Sequence, residues 1–154
     1  MPAAGSCLTN NYNPAASTTI SPGTYCSGIT VRNGVTLTLN PGIYVIDRGL
    51  LNLAGGASLS GTGVTFVLTS SIGANYARVS ILGSATVNLS APSSGTTAGL
   101  VFFHDRSAPT SGINTLNAGA NQSITGALYF ANQNVNFGGG TSANITASRL
   151  SRVP

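Results

Sequence analysis

Very few residues in this chain can do acid–base or electrostatic chemistry. The acids are Asp47 and Asp105, the one imidazole is His104, and the cations are Arg32, Arg48, Arg78, Arg106, Arg149 and Arg152; Lys and Glu are absent. A catalytic reading must pair Asp47 with Asp105. Each stands three residues beyond an aromatic, Tyr44 and Phe102, so a repeating fold would set both at one corner with Thr69 between them. Two steps of strand spacing would separate them by about 9.6 Å, near the upper limit for the carboxylates of inverting glycosidases. His104 would be the adjacent general base, and the reaction would be polysaccharide hydrolysis or elimination. The competing reading is structural. Asp47-Arg48 and Asp105-Arg106 form corner ion pairs contributing about 0–1 kcal/mol each, and His104 is a partly exposed histidine at a strand end. One pair of acids is meagre for polysaccharide chemistry, which generally uses several, or calcium with a base. The residues favour a chain with no catalytic set.

Metals and cofactors are not called for either. Cys7 and Cys26 are the only cysteines and His104 is distant from both, which excludes a four-cysteine zinc site. The cysteines are expected to form a disulfide pinning the N-terminal segment to the first repeat; as free thiols they would behave as small buried hydrophobes. No phosphate-binding loop, nucleophile elbow or His-Glu-x-x-His string occurs. Asn88-Leu89-Ser90, Asn121-Gln122-Ser123 and Asn144-Ile145-Thr146 have the N-glycosylation form, but read as chance matches.

The elements that must position these side chains are all strands. Aromatic or apolar runs recur at 23–26, 43–46, 64–68, 100–103 and 127–130. Each is followed by a second short run (29–31, 51–53, 79–81, 115–116, 135–137) and then a third, alternating one. Gly and Asn punctuate the corners, where tight turns demand positive φ. Three strands and three corners, repeated about every twenty to thirty-five residues, predict a single-stranded right-handed parallel β-helix of about five three-strand coils. The expected organisation is an N-terminal capping segment at 1–22, the β-helix at 23–150, and a tail at 151–154. No helical period competes with it.

The third strands carry the clearest alternation. Leu37, Leu59, Val87, Ile124 and Ile145 should face inward. Thr36, Ser58, Thr86, Ser123 and Asn144 should then line one outward row, and Thr38, Ser60, Asn88, Thr125 and Thr146 another. Such a flat, uncharged ladder suits a surface-binding face for glycans, or an ice-binding face resembling the Thr-rich faces of β-solenoid antifreezes; otherwise it merely solvates a sheet. Two insertions, 70–77 and 104–112, both follow an aromatic strand and should leave the same edge, a second candidate site.

Charged residues make up 5% of the 154 and hydrophobic ones 42%, a balance that suits one folded domain rather than disorder. The net charge of +4 comes from scattered arginines, not a basic stripe, so nucleic acid is not an expected partner. No apolar run approaches the ~20 residues of a membrane span, and Met1-Pro2-Ala3-Ala4-Gly5-Ser6 has no signal-peptide character.

Several segments in order resemble the C-terminal region of bacterial Tad/Flp pilus-assembly TadG-like proteins. They are Leu39 to Ile46, Leu59 to Phe66, Ala85 to Pro92, Phe102 to Arg106 and Thr125 to Phe130. The resemblance, over about residues 20–147, implies an extracellular or cell-surface module associated with pili or attachment. It brings envelope proteins or surface glycans as partners and no catalytic residues. The N-terminal anchor typical of such proteins is missing, and the stop at Leu150-Ser151-Arg152-Val153-Pro154 suggests a fragment. An open last coil would invite end-to-end self-association. The sequence thus points to a non-enzymatic structural or adhesive module, with a polysaccharide-active enzyme using Asp47 and Asp105, or an ice-binding solenoid, as the alternatives.

Overall fold

Alternation of β-branched or aromatic residues with small polar ones produces short strands here, and Gly, Asn or Ser follows most of them within two residues. A computed structural model describes residues 1–118 and 121–138 in full and the backbone of 144–146. The strands are β1 (Cys7–Tyr12), β2 (Thr18–Ile20), β3 (Gly23–Val31), β4 (Thr36–Leu39), β5 (Gly42–Asp47), β6 (Leu50–Leu53), β7 (Ser58–Thr62) and β8 (Val64–Thr69). They continue with β9 (Arg78–Ile81), β10 (Thr86–Ser90), β11 (Leu100–His104), β12 (Ile113–Leu116), β13 (Gln122–Thr125), β14 (Ala127–Phe130), β15 (Asn134–Phe137) and β16 (Asn144–Thr146).

Every strand pairing among the described residues is parallel. A ten-stranded sheet runs β14-β11-β8-β5-β3-β6-β9-β12-β15 with β1 beside β3, and a six-stranded sheet runs β16-β13-β10-β7-β4-β2. The long strand β3 joins the two halves of the larger sheet, because Gly23–Cys26 pairs with β5 and Ile29–Val31 with β6. The architecture is all-β and solenoid-like, its large parallel sheet almost closed on itself. Residues 1–22 do more than cap it: β1 and β2 each extend a sheet. A Cys7–Cys26 disulfide, Cα atoms 5.7 Å apart, ties the segment down.

Alternation sends one side of most strands into a single hydrophobic core. Tyr44, Phe66 and Phe102 stand in register and are fully buried, with ring centroids 5.7 and 5.5 Å apart. Full burial of one such ring contributes about 1.5–3 kcal/mol. At either end the aromatics shift by two positions: Tyr25 pairs with Ile46, and Phe130 with His104. The rings still touch, at 6.1 and 6.3 Å.

The six-stranded sheet departs from the expected rows in the same way. Leu37, Leu59 and Val87 align, but the next partner is Gln122, while Ile124 pairs with Leu89. The outward rows are therefore Thr36-Ser58-Thr86, then Thr19-Thr38-Ser60-Asn88-Ser123, then Thr62-Ser90-Thr125, with the backbone of Asn144 and Thr146 in register beyond Ser123 and Thr125. A slip of two keeps every side chain on its own side of the sheet, whereas a slip of one would reverse it. For Ile145, Asn144 and Thr146 the backbone pairing is described and the side chains are not; Arg149, Arg152 and the 151–154 tail lie outside the described residues.

The slip places an amide in an apolar column. Gln122 is buried, and neither amide atom has a partner among the described residues. Such orphaned polar groups cost about 1–3 kcal/mol. Gln122→Leu should therefore raise the unfolding free energy by about that amount, read as a higher urea midpoint at unchanged m-value; an unchanged or lower midpoint would contradict this account.

Candidate functional site

The corner where both insertions leave the sheet holds both acids of the chain. Register stacks Cys26, Asp47 and Thr69 in one column, and Asp105 follows, its amide bonded to the Leu68 carbonyl at 2.9 Å. The expected stacking of Asp47, Thr69 and Asp105 is therefore present. The carboxylates are nonetheless committed. Asp47 accepts from the Ser71 amide at Oδ1 and the Ser71 hydroxyl at Oδ2, both at 2.7 Å. Asp105 accepts from the Thr69 hydroxyl at Oδ2 (2.7 Å) and the Ser107 amide at Oδ1 (2.9 Å). Each of the four oxygens thus holds a structural hydrogen bond.

Of the two expected ion pairs, one forms. Arg48 Nε lies 3.4 Å from Asp47 Oδ1, with backbone φ of +69° at the corner. Asp105 makes no pair with Arg106, whose side chain is exposed; its oxygens accept from Thr69 and Ser107 instead. Burial works against ionisation of Asp47, but the Ser71 side-chain and backbone bonds and the Arg48 charge outweigh it, leaving its carboxyl below the ordinary value.

His104 is not partly exposed as expected. It is fully buried, stacked on Phe130 at 5.4 Å, because the alternation that turns Phe102 inward turns His104 inward too. Nε2 lies 3.0 Å from the Ala77 carbonyl and so carries the proton, while Nδ1 has no partner among the described residues. Desolvation, helped by the Arg78 charge, lowers its pKa against the opposing pull of Ala77 and Asp105. A neutral imidazole sealed from solvent cannot serve a substrate as base; it fastens the end of the first insertion.

That end opens a cleft. The insertions 70–77 and 105–112 rise side by side, and between them lies a space of about 500 Å³, lined by Leu50, Tyr76, Arg78, Pro109, Ser111 and Gln133 among others. Its floor is held by buried amides. Asn114 Oδ1 accepts from the Val79 amide (3.0 Å), Asn114 Nδ2 donates to Gln133 Oε1 (3.1 Å), and Gln133 Nε2 donates to the Pro109 carbonyl (2.9 Å). Gly112 lies so close to Gln133 that a methyl there would collide with the amide. Below, the corner glycines Gly28 and Gly49 have φ of +94° and +78° and sit against neighbouring backbone.

The sequence reading brought the loops together but did not single out Tyr76, Arg78, Asn114 or Gln133. Arg78 carried a usable signal: unlike Arg48 and Arg106 it follows no acid, and it closes an insertion directly after Tyr76-Ala77. The ladder lies apart from this cleft, on the six-stranded sheet, with Thr36, Thr86, Asn88 and Thr125 exposed and Thr38, Ser58, Ser60 and Ser123 half-buried. Among the described residues there is no cluster of three metal-ligating side chains and no helix long and apolar enough to cross a membrane. No protein-family model, curated protein or solved structure matches the chain.

The corner predicts acid behaviour in two stages. A histidine whose pKa is lowered by folding contributes stability that is complete above its unfolded value, about 6.5, and declines as pH falls below it. Asp47, also lowered, contributes above about 3.9 and loses that contribution on further acidification. Denaturant melts between pH 7.5 and pH 5 should show the first decline, and His104→Phe should abolish it while leaving the loss below about pH 4. An equal decline from pH 7.5 to pH 5 in the variant would refute the assignment.

Proposed function

We propose that this chain is a non-catalytic structural and adhesive module of the cell surface, built as a single right-handed parallel β-helix of three-strand coils. The observation that carries this reading is the occupation of both carboxylates. Each side-chain oxygen of Asp47 and Asp105 accepts a hydrogen bond that anchors an insertion, and His104 is buried against Ala77. No carboxylate or imidazole side chain among the described residues is left free to move a proton at a glycosidic bond. From β4 to β13 each strand pairs with the strand three elements on, which supports the coil reading. Handedness follows from the rule that parallel crossovers are right-handed in nearly all cases.

A surface that is regular, uncharged and rich in hydroxyls and amides suits contact with sugars, which offer hydroxyls in return. The resemblance of 39–46, 59–66, 85–92, 102–106 and 125–130 to TadG-like pilus-assembly proteins supports an extracellular setting with envelope proteins or surface glycans as partners, as does the disulfide.

The test is turnover. Incubation with acidic and neutral polysaccharides should release no reducing ends and no unsaturated sugars, from wild type or from Asp105→Asn. That variant should instead loosen 105–112 and lose about 1–3 kcal/mol of stability. Product release by wild type that disappears in Asp47→Asn or Asp105→Asn, with the fold intact, would make the chain an enzyme.

A further inference from the structure

The geometry points to the cleft between the two insertions as a binding site for a uronic acid residue of an acidic polysaccharide, with Arg78 taking the carboxylate. This rests on the reading of the chain as a non-catalytic glycan-binding module and adds the ligand class and the site. The reasoning begins with charge. The chain has two acids, and both are consumed in the corner, Asp47 by Ser71 and Arg48, Asp105 by Thr69 and Ser107. Arg78 therefore stands in the cleft with no carboxylate among the described residues to pair with. It is half-buried, and its neighbour in register is Leu50, so one flank of the side chain is apolar. A planar guanidinium in such a place matches a carboxylate by two parallel hydrogen bonds.

The groups around it suit a sugar. Ala77 is buried between Tyr76 and Arg78, which turns both outward on the same rim. The half-buried Tyr76 ring can lie against the C–H face of a pyranose, while the Ser111 hydroxyl and Asn75 amide on the rim address ring hydroxyls. One cation answers one negative charge; no second arginine lines the cleft, as a doubly charged phosphate would favour. Its volume, about 500 Å³, falls within the usual range for small-ligand sites, about 300–1,000 Å³. The walls are set in advance by the Asn114–Gln133–Pro109 chain and by His104 on Ala77, so little ordering is left to oppose binding.

Titration calorimetry with trigalacturonate, its methyl ester, a neutral trisaccharide and a short peptide with a free C-terminal carboxylate tests this. Wild type should bind trigalacturonate, more weakly as salt rises, and bind the ester at least about tenfold less tightly. Arg78→Gln should lose a similar factor with an unchanged melting temperature, and Arg78→Lys should recover part of it. Tyr76→Ala should weaken the acid and its ester alike. No binding by folded wild type, equal binding of acid and ester, or binding unaffected by Arg78→Gln would overturn the site. Preference for the peptide would do the same, assigning the cleft to a protein partner. The broader reading fails by a different sign, the release of products from the polysaccharide.

Discussion

Two carboxylates in one corner fix what the rest of the molecule can do. With Asp47 and Asp105 the only acidic side chains, and both directed at amides and hydroxyls, the acids serve to anchor the insertions. A carboxylate accepting a backbone amide is a strong, charge-assisted contact, and here it converts two long connections into walls. The same allocation leaves the arginines other than Arg48 without an internal carboxylate among the described residues. Positive charge is therefore directed outward, and Arg78 and Arg106 each line a concave surface, the larger one at Arg78.

Beneath the corner, stability comes from repetition rather than from any single contact. Each parallel ladder adds one strand at about 4.8 Å and one layer of side chains to a continuous core. Tyr44, Phe66 and Phe102 stack in register because the strands do. Where the chain slips by two, at β13 and β14, rings and aliphatics find new partners without changing sides. The amide of Gln122 is then carried into a column its neighbours fill with Leu and Val. A solenoid tolerates this because each layer contacts chiefly the layers next to it.

Much of this was legible in the sequence, for reasons that also explain the rest. Strand positions could be read because period two is a strong signal in segments such as Val35 to Leu39. The shared corner of Asp47, Thr69 and Asp105 followed from counting residues beyond each aromatic. Register in the later ladders did not follow, since a slip of two leaves the apolar pattern identical; Ile124 faces inward whether it meets Val87 or Leu89. His104 could have been placed inside by its parity with Phe102, but its polarity argued for the surface, and the unseen partner was a loop carbonyl, Ala77. Asp105 looked like the partner of adjacent Arg106, whereas its partners come from the neighbouring strand and from two residues onward. Asn114 and Gln133 meet only in three dimensions, so nothing local announces them.

The position of the cleft follows from the same economy. A flat ladder of hydroxyls and amides offers many weak contacts and no orientation, so it can hold a polymer without choosing among polymers. A lone guanidinium between rigid walls adds the missing discrimination, because a buried or half-buried charge rejects a neutral group that leaves it unpaired. Its reach is short, for at physiological salt charges are screened beyond about 8 Å, and the surrounding surface is almost without charge to extend the field. Attraction at a distance is therefore weak and selection occurs on contact. In the glycan-binding role proposed for it, such a surface touches many sugars and retains those bearing a carboxylate.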